Sequence, residues 1–178
     1  KNIRYFAGKP MIAWSIDAAQ ASQCFDRIVV STDDAEIAEC ARHWGAEVPF
    51  TRPKELADDY TGTIPVIAHA IEWLSKNSTM PDEVCCIYAT APFVTAEDIN
   101  RGQEVLATCG AEYVFAVSSY AFPIQRALRI SSDGYISMFQ PENFFTRSQD
   151  LEEAWHDAGQ FYWASADTWL AQRPIFSE

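Results

Sequence analysis

Short apolar, β-branched runs alternate with amphipathic stretches as far as Val117, and that alternation commits the chain to an α/β fold. Phe25–Val30, Glu47–Phe50, Val84–Tyr88 and Tyr113–Val117 read as strands, and the near-continuous apolar ones as strands covered on both faces. Pro10 opens a helix whose inner face is Met11, Ile12, Trp14, Ile16, Ala18 and Ala19. Ser31 to Asp34 supply caps for a second helix, with Ile37, Ala38, Ala41 and Trp44 inside and Gly45 at its end. A long polar loop, 51–62, leads to a third helix built on Ile64, Ile67, Ala68, Ile71 and Leu74. Thr95-Ala96-Glu97-Asp98 is a capping-box start for a fourth, which Gly110 closes. Strands joined by helices imply a mostly parallel sheet, with ligands bound at the carboxyl ends of its strands.

The alternation then stops. Ala127–Ile130 and Tyr135–Met138 flank Ser131-Ser132-Asp133-Gly134, a hairpin signal. Gln140–His156 is polar and aromatic without a period, so 120–158 reads as an excursion from the sheet. Gly159–Ala164 returns as a strand, and Ala166–Gln172 closes as a short helix.

Composition removes whole classes of function. At 178 residues the chain has room for one domain. Thirteen Lys+Arg against 25 Asp+Glu leave a net charge of -12, which argues against nucleic acid as a partner. No apolar run is long enough to span a membrane. Five cysteines, an odd number without zinc-ligand spacing, fit a reducing, cytoplasmic setting. Lys1–Gly8 lacks the apolar core of a signal peptide. An acidic chain that takes an anionic ligand must gather its few cations locally.

Three segments together carry a family likeness. Lys1-Asn2-Ile3 with Phe6-Ala7-Gly8-Lys9-Pro10-Met11-Ile12, then Phe25 to Asp34, then Arg52-Pro53-Lys54-Glu55-Leu56-Ala57 resemble, in order, the acylneuraminate cytidylyltransferases. The resemblance implies a three-layer, Rossmann-like fold of the nucleotide-diphospho-sugar transferase type. It also implies transfer of CMP from CTP to a nonulosonic acid, with Mg²⁺ as cofactor and a homodimer built through an exchanged arm. Tyr88-Ala89-Thr90-Ala91-Pro92-Phe93 stands where members acting on sialic acid tend to carry Gln-Pro-Thr-Ser-Pro, and Arg147–Glu153 and His156–Phe161 run the same way, pointing to pseudaminic acid. Legionaminic, sialic or deoxy-octulosonic acid is the alternative within the fold. A non-catalytic nucleotide-sugar binder is the alternative from another class.

The family's glycine- and cation-rich signature precedes the Lys1-Asn2 pair, and its Asp-x-Asp metal pair follows Glu178. The expectation is therefore a single domain, 1–178, without its first strand and phosphate loop and without its metal-site segment, so that no metal ligand is assigned within it.

The resemblance assigns nucleotide binding to Lys1, Asn2, Arg52, Thr63, Tyr88, Thr90, Ala91 and Pro92. Their chemistry suits the task. A lysine offers a point charge to phosphate, Asn2 both donor and acceptor to a pyrimidine edge, and Arg52 a fork to cytosine O2 or a phosphate. Thr63 equally suits capping of the third helix. Gln160, His156 and Asp157 are the candidates for the sugar. His156-Asp157 reads either as a base oriented by a carboxylate or as polar residues of the arm. Asp33-Asp34 has the look of a metal pair, but capping of the second helix accounts for it.

Overall fold

The computed structural model describes residues 1–176 and divides into two units, Lys1–Ala116 with Gly159–Glu178, and Val117–Ala158. The first opens with a two-residue hairpin, β1 (Tyr5–Phe6) and β2 (Lys9–Pro10), followed by α1 (Met11–Ser22) and α2 (Ala35–His43). α3 (Thr63–Asn77), β3 (Glu83–Ile87), α4 (Ala96–Cys109) and α5 (Ala166–Leu170) lie wholly in it, while the chain leaves it within β4 (Val114–Ser119) and returns to it within β7 (Trp155–Ser165). β5 (Leu128–Ile130) and β6 (Ile136–Met138) form the expected antiparallel hairpin of the second unit.

The caps behave largely as their residue types dictate. Asp34 accepts from the Glu36 and Ile37 amides at the start of α2, at 2.8 and 3.0 Å. Thr95 accepts from the Asp98 amide at 3.1 Å, and Gly110 ends α4 at φ +68°. Pro10 is the residue before α1 rather than its first.

The sheet order is β3-β7-β4, with β7 antiparallel to β3 from Glu83↔Ser165 to Ile87↔Phe161. Alternate side chains of β7 go to opposite faces. Phe161 and Trp163 pack with Ala18, Val94 and Ile99, while Tyr162 and Ala164 pack with Ile71, Tyr113 and Trp169. α1 therefore meets α4 on one face and α3 meets α5 on the other, which makes three layers. Each buried tryptophan keeps its N–H bonded, Trp163 to the Ile99 carbonyl at 3.0 Å and Trp169 to that of Val84 at 3.1 Å. Gly102 lets α4 approach β7, for a Cβ there would lie 2.7 Å from Phe161 and 2.8 Å from Trp163.

Two sequence-based strands shrink. Phe25–Val30 and Glu47–Phe50 reduce to one parallel bridge, Val29↔Glu47. A strand needs a partner along its length, and the second edge of Ile28–Val30 faces a cavity instead. Gly159–Ala164 grows into an eleven-residue strand. The continuous ladder between β3 and β7 is antiparallel because the chain returns from the excursion before pairing.

Candidate active site

Ser31 follows Ile28–Val30, Arg52 follows the Glu47 bridge and Tyr88 follows β3. All three line one cavity of about 1160 Å³, so three strand segments deliver their carboxyl ends to one place. Asn2, Thr32, Asp33 and Thr63 line it too.

Arg52 is the fixed cation of this rim. Its guanidinium donates to the Ser31 carbonyl and, at 3.1 Å, to the Ser31 hydroxyl. Its own amide donates to the Thr32 carbonyl at 2.9 Å. Burial works against its charge and lowers its pKa from the ordinary arginine value, with the Asp33 carboxylate opposing that effect. A guanidinium held in this way offers its remaining donors to an anion or a carbonyl without first losing side-chain freedom.

Tyr88 is tied at three points. Its amide donates to the Gln160 carbonyl at 2.9 Å, its carbonyl accepts from the Ser15 hydroxyl at 2.7 Å, and its hydroxyl lies 3.0 Å from Thr63 Oγ1. Thr63 does not cap α3. Gly62 holds that position without a side-chain bond, and the threonine hydroxyl is turned to Tyr88. This contact joins the start of α3 to the end of β3 across the cavity wall.

The other assignments fall elsewhere. Lys1 is exposed and not among the cavity-lining residues. Thr90, Ala91 and Pro92 form the turn beyond Tyr88, outside the lining, and the Ala91 side chain is in the core with Val94 and Trp163. Gln160 gives its carbonyl to the β3 ladder. In the second unit, His156 Nδ1 lies 2.9 Å from the Asp157 backbone carbonyl oxygen, and the His156 ring packs edge-on to Tyr120 with centroids 4.9 Å apart. The histidine contact in hand is thus to backbone. Asp34 is a cap, as expected, whereas Asp33 belongs to the cavity.

Three contributors are not assigned from the sequence. Ser31 reads there only as a cap. Ser15 interrupts an apolar helical face, which is the signal that could have marked it. Asp33 is masked by its capping neighbour. No group of three or more His, Cys, Asp or Glu side chains able to hold a metal occurs among the described residues. Asp33 alone gives a divalent cation one carboxylate at this rim, short of a protein-built cage.

A three-layer α/β sheet with a polar rim at its strand ends defines a nucleotide-binding type of domain. By fold it is similar to CMP:2-keto-3-deoxy-manno-octonic acid synthetase, with a TM-score of 0.65 at 17% identity, covering 98% of this chain and 71% of that one. It is also similar to 4-diphosphocytidyl-2C-methyl-D-erythritol synthase from Anaerococcus prevotii, at 0.61 and 11% identity, covering 95% and 67%. The family model described as cytidylyltransferase matches residues 1–175, and the chain belongs to that family of CTP-dependent enzymes. It is 41% identical over 176 residues to pseudaminic acid cytidylyltransferase of Campylobacter jejuni, covering 99% of this chain and 76% of the relative. To CMP-N,N'-diacetyllegionaminic acid synthase of Legionella pneumophila it is 33% identical, covering 100% and 76%. Among the described residues no helix is long and apolar enough to cross a membrane.

Proposed function

We propose that this cytidylyltransferase joins CMP from CTP to a nonulosonic acid, with pseudaminic acid as the preferred acceptor. The observation that carries the substrate is the 41% identity to the Campylobacter pseudaminic acid enzyme along 99% of this chain. In this reading the sugar's anomeric hydroxyl attacks the α-phosphorus in line and pyrophosphate leaves. Arg52 then holds cytosine O2 or a phosphate oxygen, Asn2 contacts the base edge, and Tyr88 with Thr63 shapes the wall beside them. Lys1, Thr90, Ala91 and Pro92 are proposed to contribute from the margin of this site, and Gln160, His156 and Asp157 to take the sugar.

Magnesium belongs to the proposal as the companion of the triphosphate. The described residues supply no cage for it, and Asp33 would give it a single carboxylate at the rim. A homodimer is proposed on the exposed aromatic surface of Val117–Ala158, where Phe122, Phe145 and Tyr135 are 82%, 91% and 77% exposed. Five free cysteines accord with a reducing, cytoplasmic setting.

Pyrophosphate release from CTP, measured across pseudaminic, legionaminic, sialic and deoxy-octulosonic acids, tests the reading. Fastest release with pseudaminic acid supports it, and release with another acid but not this one removes the preference. CTP binding without release with any acid favours the non-catalytic binder.

A further inference from the structure

Arg52 meets Ser31 along one particular edge. Its Nε donates to the Ser31 hydroxyl at 3.1 Å and its Nη2 to the Ser31 carbonyl, so the side-on edge of the guanidinium is spent within the protein. The end-on edge, formed by Nη1 and the second Nη2 hydrogen, is left for a ligand. Because a guanidinium is planar, fixing one edge fixes the direction of the other.

The anchor is itself held on both sides. Before Ser31, the Val30 amide donates to the Glu47 carbonyl at 2.8 Å. After it, the Asp34 amide donates to Thr32 Oγ1 at 3.1 Å, and α2 begins there. On the other segment, the Arg52 amide donates to the Thr32 carbonyl at 2.9 Å, and Pro53, at φ -57°, restricts the backbone that follows. Both backbones are thus restrained without a ligand, and the Ser31 hydroxyl is the side-chain group that sets the turn of Arg52 Nε.

That direction decides which base the fork fits. CTP and UTP share the triphosphate, the ribose and O2 of the pyrimidine, and differ at N3 and at the substituent on C4. Cytosine presents two neighbouring acceptors, O2 and N3, whereas uracil presents O2 beside an N3–H donor. Asn2 and the hydroxyls of Thr63 and Tyr88, which line the same cavity, both donate and accept, so they fit either base. Arg52 only donates. Its end-on fork matches O2 and N3 of cytosine together, as such a fork pairs with a carboxylate, and it sets an N–H against the N3–H of uracil. A phosphate oxygen is served equally by a flexible point charge and needs no fork held in one direction.

We propose that Ser31 is a positioning residue of this reaction: by occupying the Nε and Nη2 edge of Arg52 it turns the end-on edge to the pyrimidine, and so makes the site choose CTP over UTP. The proposal rests on CTP as the nucleotide of this cavity and not on the identity of the acceptor acid.

Calorimetry of CTP and UTP binding to the full chain, unchanged and as Ser31→Ala, Ser31→Thr and Arg52→Lys, tests it without needing turnover. In Ser31→Ala the preference for CTP should fall at least about fivefold, through weaker CTP binding with UTP affinity changed by less than about twofold. Ser31→Thr keeps the hydroxyl and should restore the preference. Arg52→Lys keeps the charge without the fork and should lose it. Equal weakening of CTP and UTP in Ser31→Ala or Arg52→Lys overturns the proposal, since an Arg52 bound to phosphate, or a Ser31 that only supports the fold, would give that result. An undiminished preference in Ser31→Ala overturns it too, as does equal affinity of the unchanged chain for the two nucleotides. Pyrophosphate release decides the catalytic reading separately: its absence beside a Ser31-dependent preference for CTP removes catalysis and supports the role of Ser31.

Discussion

The two units differ in whether they bury any aromatic residue at all, although the first also leaves Tyr5, Tyr60 and Phe93 exposed. In the first, Trp163 and Tyr162 lie at 1% and 2% exposure, and Trp169 is fully enclosed. In the second, no residue of Val117–Ala158 is buried, although Phe122, Tyr135, Phe139, Phe144 and Phe145 lie there. Its order comes from backbone bonds, such as the Tyr120 amide to the Ala154 carbonyl, and from Arg126 donating to the carbonyls of Phe144 and Thr146. Apolar burial therefore stabilises the first unit within itself, whereas the second presents the same chemistry outward, as an interaction surface does.

The largest effect should come from the centre of the first unit. Trp163→Ala removes a side chain that is buried against Phe161 and stacked on Phe25 with ring centroids 5.2 Å apart, and it frees the Ile99 carbonyl. Urea unfolding should show a loss of about 3–5 kcal/mol. A loss under 1 kcal/mol would mean that this core is looser than its packing indicates.

Alkaline pH should strike the core on the other face of the sheet, where Cys86 packs with Ile71 and Tyr162. Burial pushes the Cys86 thiol from 9.0 up to about 12, while in the unfolded chain it titrates normally. A group whose folded pKa is raised contributes stability below its unfolded value and loses it as pH rises. Stability should thus fall between pH 9 and about 12, by up to about 1.4 kcal/mol per pH unit for this one proton. Cys86→Ala should make that limb shallower in unfolding curves taken at pH 9, 10 and 11, the remaining slope coming from Cys85, whose thiol burial also raises well above its usual value.

Next comes Gly102→Ala, which forces a methyl group against Phe161 and Trp163. Overpacking of this kind costs about 1–3 kcal/mol, read as a lower denaturant midpoint with an unchanged slope. An unchanged midpoint would show that α4 can retreat from β7.

How much of this was legible in the sequence follows the range of the interactions. α1 and α3 lie where periodicity places them and α2 and α4 where their caps Asp34 and Thr95 do, because a helix face and its start are written within a few turns of chain. Strands Val84–Tyr88 and Tyr113–Val117 shift by one or two residues at their ends into β3 and β4. Phe25–Val30 carries a strand's composition but has only Glu47 to pair with, and pairing is a tertiary fact. At the rim, Arg52 and Tyr88 stood out by position after a strand. Their partners, Ser31 and Thr63, lie 21 and 25 residues away and became visible only in three dimensions. That the Ala91 methyl group packs inward, against Val94 and Trp163, likewise became visible only in the folded turn.

The smallest effect on the stability of a single copy is expected in the second unit, and it is the one that can break the contrast. Phe122→Ser and Phe145→Ser exchange rings that are 82% and 91% exposed, so little burial is lost within the chain. Each should change the unfolding free energy of the monomer by no more than about 0.5 kcal/mol. If a second copy covers these rings, the same changes should shift sedimentation from dimer to monomer, because exposed aromatics supply an interface with most of its buried apolar area. The double variant should dissociate at protein concentrations where the unchanged chain remains paired. Loss of monomer stability on the scale expected for Trp163→Ala would instead give the second unit a core of its own and dissolve the distinction between the two. Unchanged stability with unchanged sedimentation would leave the contrast in burial intact while removing self-association as its purpose.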